Sequence, residues 1–450
     1  MNHGVYTRKQ ATSVATPAAV EVGVPFVIGL APLHKADADT RASALTPVLA
    51  TSYAEAVAQL GYDDDWADYT LCEVMHYHFK FAQCQPVIFL PLTETVNSAS
   101  FSGDGSQKTF VVTAKPARIY DVKVGGTAVE VTSYAPATGT VTLKNAPASG
   151  TDNVVVSYVS TPAASDVVSA VESIDLCMPM FSIIPDLILA PGFSDQSAVA
   201  AAMAAKATAI NGKFQAKALV DIDAATYVAA ITAKNNGTFT DAEIVCWPCG
   251  KLGDYIFHGS TLEAGCIART DSDNGGVPYA SPSNHVVYID STCLADGTAV
   301  LLDETKANIL NGAGICTFYN NGSQFIAWSN VTGTWPGSSD VTDYFIPVSR
   351  MFEYVQKTII LTFRDKVDNP MNKRLYNTVV DSVNLWLNGL VGAGYLIGAR
   401  CVYLDAENPV TSLMSGIITF HVYMTPPSPA QDIEFLVEYD VAYMENAFGA

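Results

Sequence analysis

Residues 186–247 alternate two kinds of segment: DLILA (186–190), DQSAVAAAMAAKATAIN (195–211), KALVD (217–221), a run ending near Asn236-Gly237, and IVCW (244–247). The short runs have apolar centres and suit strands. The Ala-rich run, stopped by Gly212, and the run ending at Gly237 suit helices. A βαβαβ order implies a mostly parallel sheet covered by helices, so the main body is expected to be α/β.

Working outward, Val24 to Gly29 reads as another buried strand. Ser52-Tyr53-Ala54-Glu55 has capping-box spacing for a helix ending at Gly61, and a second helix is expected from Trp66 to Gln83. After the strand-like Pro86 to Leu90 the composition shifts. Residues 96–160 are rich in Thr, Val, Ser and Gly, with β-rich runs at 109–113, 119–124, 140–143 and 154–159 separated by Gly125-Gly126, Pro136 and Pro147 to Gly150. This is expected to be an inserted all-β, sandwich-like domain.

Past Val341 the pattern becomes one helix-and-hairpin unit. Asn369-Pro370 is expected to open a helix with Pro in its first turn. Along it Met371, Leu375, Val379, Val383, Trp386 and Leu390 form an apolar face, opposite a polar stripe of Lys373, Asn377, Asp381, Asn384 and Asn388. Strands are expected at 398–404 and 416–424, ended by TPPSP (425–429). Beyond it Ile433, Phe435, Val437 and Tyr439 alternate with Glu434, Glu438 and Asp440, broken by Leu436, a strand pattern without a partner nearby. The first 22 residues lack periodicity and read as an extended arm. The expected organisation is an N-terminal arm (1–22), a discontinuous α/β body (23–95 and 161–340), the insertion (96–160), a C-terminal α+β unit (341–430) and a C-terminal arm strand (431–450). The fold class is thus α/β and α+β multidomain.

The chain has 450 residues, 49% of them hydrophobic and 15% charged, with a formal net charge of -20. Low charge in so long a chain suits surface buried between subunits, and the negative balance argues against non-specific nucleic-acid binding. Nine scattered cysteines and no opening signal-peptide pattern suggest reduced thiols made in a cytoplasm. No apolar run approaches the roughly 20 residues a membrane helix needs. Five acidic residues and no basic one occupy 425–450, whereas Arg8 and Lys9 outnumber Glu21 in the first 22. Opposed arms of this kind could order their pairing. Between Ile346 and Arg400 seven Lys/Arg face four Asp/Glu.

Several motifs could carry chemistry, and each has a plainer structural explanation. Cys246-Trp247-Pro248-Cys249 has redox or half-zinc spacing, but no second Cys pair matches it and GKLG (250–253) is not a helix start, so packed thiols are expected. His76 and His78, two apart on a helix, point to different faces. Asp221 and Asp223 end a strand as carboxylates of α/β enzymes do, yet no phosphate loop precedes them, and Asp223 is expected to cap a helix. DSDNGG (271–276) lacks a glutamate at the twelfth position of a Ca²⁺ loop and is read as a turn. No catalytic residue, cofactor or metal site is expected.

The segments FIPVSRM (345–351), VDNP (367–370), LWLNGL (385–390), ENP (407–409) and TPPSPA (425–430) resemble, in order and spacing, the C-terminal part of contractile phage tail sheath proteins. GVY (4–6), VPYASPSN (277–284) and NILN (308–311) are similar to upstream features of that family. The likeness touches most of the chain except residues 96–160, where decoration of an outer surface is expected. The resemblance implies a structural subunit, not an enzyme. It forms six-fold rings stacked helically around a tail tube protein and meets baseplate and tail terminator proteins, without nucleic acid or membrane contact. It contracts to drive the tube through a target envelope. The setting would be a virion tail or a cytoplasmic injection machine, made in a bacterial host.

The family further implies terminal arms that add strands to neighbouring subunits, with Val5, Tyr6, Ile433, Phe435, Val437 and Tyr439 as arm-strand candidates. Unpaired sheet edges supply the reason, since an extended segment from another chain satisfies their N–H and C=O groups. Because the family places the C-terminal unit at small radius, Lys373, Arg374 and Asn377 are expected to face the tube. Two other classes fit the bulk composition: an α/β enzyme with an inserted β-sandwich binding module, and a surface-lattice protein.

Overall fold

The computed structural model describes residues 15–116, 118–160 and 162–449. Its centre is a six-stranded sheet in the order Glu243–Cys246, Lys217–Asp221, Leu187–Leu189, Pro25–Gly29, Val87–Pro91, Val48–Ala50. The first five strands run parallel and the last antiparallel. Alternate residues feed two cores. Phe26, Ile28, Ile88, Leu90, Ile188, Ala218 and Val220 pack on one face, and Val27, Val87, Phe89, Leu187, Leu189, Leu219 and Ile244 on the other. Burial on both faces is why these strands have apolar centres.

Helix Tyr53–Leu60 is capped as its sequence implies: Ser52 accepts from the Glu55 N–H, and Gly61 leaves the helix at φ 76°. The next helix begins at Thr70, four residues later than expected, and continues as π-helix from Tyr77 to Ala82. Helices Ser197–Ala207 and Tyr227–Asn236 cross over between parallel strands. The second is capped by Thr226, whose hydroxyl accepts from the Ala229 N–H, so the cap expected at Asp223 lies three residues further on. Helix Gly259–Asp273 takes in the first half of the expected 271–276 turn, leaving Gly275 and Gly276 at positive φ.

Between Thr95 and Ser160 lie a four-stranded sheet (Thr95–Gly103, Gly150–Ser160, Arg118–Val124, Thr127–Ala128) and a three-stranded one (Thr109–Val111, Thr140–Leu143, Val131–Ala135). They share a small core of Phe110, Val112, Val122, Val141, Leu143, Val154 and Val156. Arg118 ties them to the body, 2.9 Å from Glu94 and with its guanidinium over the Tyr69 ring.

The C-terminal unit packs an 18-residue spine helix, Ile346–Phe363, against an amphipathic helix, Lys373–Gly392, and an antiparallel strand pair, Gly398–Val402 with His421–Thr425. Met351, Val355, Val379, Val383, Leu387, Leu390 and Cys401 form its core. The amphipathic helix starts three residues after the expected Pro370. Asn372 accepts from the Leu375 N–H and caps it, while Asn369 donates back to the Asp365 carbonyl and closes the preceding turn. Both strands are shorter than expected. Asn384, expected on the polar stripe, instead donates to the Cys401 carbonyl and accepts its N–H, both at 2.8 Å, stitching helix to strand.

Residues 426–440 form no strand, and a short helix, Ala442–Phe448, follows. The strand pattern at 433–439 finds no partner among the described residues and forms no strand in the single chain. None of the helices among the described residues is long and apolar enough to cross a membrane.

Candidate functional site

Three arrangements could carry function: the exposed C-terminal unit, a buried ionic seam behind it, and a cleft at the edge of the central sheet.

In the C-terminal unit, Lys373, Arg374 and Asn377 are all exposed on the first turns of the amphipathic helix. The helix N-terminus contributes its own partial positive charge there. Among the described residues, no third strand joins Gly398–Val402 or His421–Thr425; the edge of His421–Thr425 therefore presents unpaired backbone groups, while on Gly398–Val402 the Cys401 N–H and carbonyl are already taken by Asn384. The following segment leaves Ile433, Phe435, Val437 and Tyr439 between 67% and 95% exposed. Val5 and Tyr6 lie outside the described residues. Residues 15–22, expected to belong to a free arm, instead lie along the unit's own helices: Ala15 N–H donates to Ser382 Oγ at 2.8 Å and Ala18 N–H to Thr362 Oγ1 at 2.9 Å.

The basic surplus from 346 to 400 is smaller at the surface than in the sequence. Arg350 and Lys357 are buried on the inner face of the spine helix, with Ser349 and Glu353 beside them. Arg350 holds Asp271 through two bonds, at 3.0 and 2.6 Å, and Asp186 at 2.7 Å. Lys217 contacts Glu353, Ser349 Oγ and the Asp241 carbonyl, each at 2.7 Å. Burial alone would raise Asp186, but Lys357 and Arg350 hold it below the usual carboxylate range. Burial pushes Asp271 up to about 6 against the pull of Arg350. This seam joins the spine helix to the central sheet and to helix Gly259–Asp273, and it was missed in the sequence because its partners lie far apart along the chain. The available signal was the 3-and-4 spacing of Ser349, Arg350, Glu353 and Lys357 within an apolar helix.

The cleft, of about 200 Å³, opens at the C-terminal ends of the parallel strands, lined by Asp195, Asp221, Asp223, Cys249 and His258 among others. Of its three carboxylates, that of Asp221 is already engaged. Asp221 accepts from the Ser260 N–H (2.8 Å) and hydroxyl (2.5 Å) and from Ser194 Oγ (2.9 Å), capping helix Gly259–Asp273. Burial would lower His258, but the Glu73 carboxylate at 2.8 Å raises it to about 9, so it stands as a paired imidazolium. The two Cys-x-x-Cys thiols go different ways. Cys246 lies beside Cys316 and Cys249 opposite Cys293, and burial pushes both Cys246 and Cys249 far above the usual thiol range. His76 bonds Tyr62, and His78 is wholly buried. No group of three or more possible metal ligands occurs among the described residues.

No protein-family model matches the chain. It is 26% identical over 274 residues to a tail sheath protein of Burkholderia phage BcepMu, covering 57% of this chain and 56% of the relative. It is 30% identical over 270 residues to a Pseudomonas aeruginosa protein provisionally named a prophage major tail sheath protein, covering 57% and 66%. The matched stretches thus span between about half and two thirds of these relatives. In fold, the chain superposes on a chain of the anti-feeding prophage baseplate with a TM-score of 0.61 at 15% identity, over 97% of this chain and 98% of that one. The chain belongs to the contractile tail sheath family. A chain of the PVC sheath complex in its contracted state also superposes, with a TM-score of 0.61 at 14% identity, over 98% and 99% of the two chains. The family's shared fold therefore extends over nearly the whole molecule, beyond the stretch that sequence comparison aligns.

Proposed function

We propose that this chain is the structural subunit of a contractile sheath. It polymerises as stacked six-fold rings around a tail tube and contracts to drive the tube through a target envelope. The observation that carries this reading is the pairing, within one C-terminal unit, of an open-edged two-stranded sheet with an extended apolar segment that has nothing to cover it. Each is half of a strand exchange between copies. The segment from Ile433 to Tyr439 becomes a strand on the edge of a neighbour's sheet, and residues upstream of Ala15, Val5 and Tyr6 among them, supply a second strand. Five exposed apolar side chains in seven residues, Leu436 included, are costly in water and gain by being covered.

In this reading the C-terminal unit faces the tube, and Lys373, Arg374 and Asn377 touch it through breakable charge contacts. The insertion decorates the outside, and the particle's ends meet baseplate and terminator proteins. The division into arms, α/β body, β insertion and sheath unit belongs to the same proposal. In this reading Asp221 and the thiols serve packing and capping.

Electron microscopy of the purified chain is the test. Helical tubes or stacked rings are expected. Discrete small oligomers would favour an enzyme and flat arrays a surface lattice.

A further inference from the structure

At the entrance to the first strand the chain is held by the buried seam. Asp186 accepts the Gly23 N–H at 3.0 Å and the Val24 N–H at 2.8 Å while bonding Arg350. Gly23 turns there at φ +70°, where a Cβ would stand 2.9 Å from Ala268 Cα and 3.1 Å from Asp271 Oδ2. Lys357 Nζ lies 3.3 Å from the Ile184 carbonyl and 3.4 Å from that of Glu21. Upstream, the holds on Ala18 and Ala15 are single neutral bonds at partly buried sites. Those at Gly23 and Val24 are buried and charge-assisted, hence much the stronger.

We propose that the Asp186–Arg350–Asp271 cluster is the mechanical stop of the N-terminal segment. Tension applied upstream of Ala15 peels residues 15–22 from Ser382 and Thr362, is arrested at Gly23 and Val24, and passes into the spine helix and the body together. Strand Pro25–Gly29, at the centre of the sheet, is thereby kept from being drawn out. Asp186, Arg350 and Asp271 act as positioning residues. The source of the tension, a neighbour's grip, rests on the sheath reading, whereas the stop belongs to the single chain.

Optical-trap pulling on the unassembled full chain, with handles at its two termini, tests it. Peeling residues 15–22 should add no more than about 30 Å at roughly 3.3–3.6 Å per residue, followed by resistance until the body unfolds. In Arg350→Met the same stage should run on through the first strand, adding roughly 25 Å for seven further residues. A wild-type trace that passes Gly23 without pausing would overturn the proposal, as would a folded Arg350→Met chain with an unchanged trace.

Should that variant fail to fold, hydrogen exchange on the wild-type chain decides. The Gly23 and Val24 amides should exchange about 100-fold or more slower than those of Ala15 and Ala18, and equal rates would refute the stop. A chain that shows the stop yet forms no tubes would sink the sheath reading alone.

Discussion

Arg350 has two buried carboxylates to satisfy, and burial decides what its loss costs. Removing one partner of such a cluster strands the others without water, typically at about 3–5 kcal/mol. Arg350→Met should therefore lower the unfolding free energy in urea titrations by that order, while Lys373→Glu, at an exposed site, should leave it within about 0.5 kcal/mol. Glu263 makes a separate prediction. It is wholly buried with no partner for either oxygen, and burial raises it to about 8 from its ordinary 4.5. The folded chain thus binds a proton that the unfolded chain gives up between those values, so stability falls as pH rises from about 4.5 to 8. His78, lowered by burial to about 4 from 6.5, acts in the opposite sense and removes stability as pH falls through that range. Melting curves of Glu263→Gln at pH 5 and 8 should show a smaller loss at pH 8 than wild type, and an unchanged loss would exclude this cause. None of these burials was legible in the sequence. Asp186 and Asp271 lie 164 and 79 residues from Arg350, and no local pattern announces which charges a fold will enclose.

At the scale of elements, the buried strands were legible because covering both faces leaves no polar position to interrupt the run. Lys217–Asp221 falls where its pattern placed it, as does Thr140–Leu143, a half-covered strand whose alternating threonines mark the open face. Helix starts were less legible where two capping residues compete. Asn369 and Asn372 stand three apart, and Pro370 favoured the first, yet Asn369 is used to close the turn before it. The tail from 431 onward reads as a strand completed by a neighbour, and in the single chain residues 431–440 form none, since alternation states a preference that only a partner can realise. That separation gives a sharp expectation for Phe435→Asp with Val437→Asp. Tubes should be lost from negative-stain images while the melting temperature stays within about 2 °C, because neither side chain packs on its own chain. The exposed basic turn predicts in the same way. Charge reversal at both Lys373 and Arg374 should weaken sheath-on-tube assembly, more at low salt than at high. Assembly unaffected at either salt would remove the tube contact.

For the molecule as a whole, the buried seam ties the α/β body to the spine helix, while the surfaces proposed to meet other copies are concentrated at the C-terminal unit and the chain ends. Contraction then needs few changes inside a subunit. Two packings of the same rigid body, joined by exchanged strands, can differ slightly per copy and strongly in sum. The central claim is that the apolar tail is a strand awaiting a neighbour, and a high-resolution helical reconstruction of the assembled chain tests it most directly. Continuous density is expected for residues 433–439 hydrogen-bonded along His421–Thr425 of an adjacent copy, with loss of all tubes when residues 431–450 are removed. Tubes that persist without that segment, or a tail folded back on its own subunit, would contradict it.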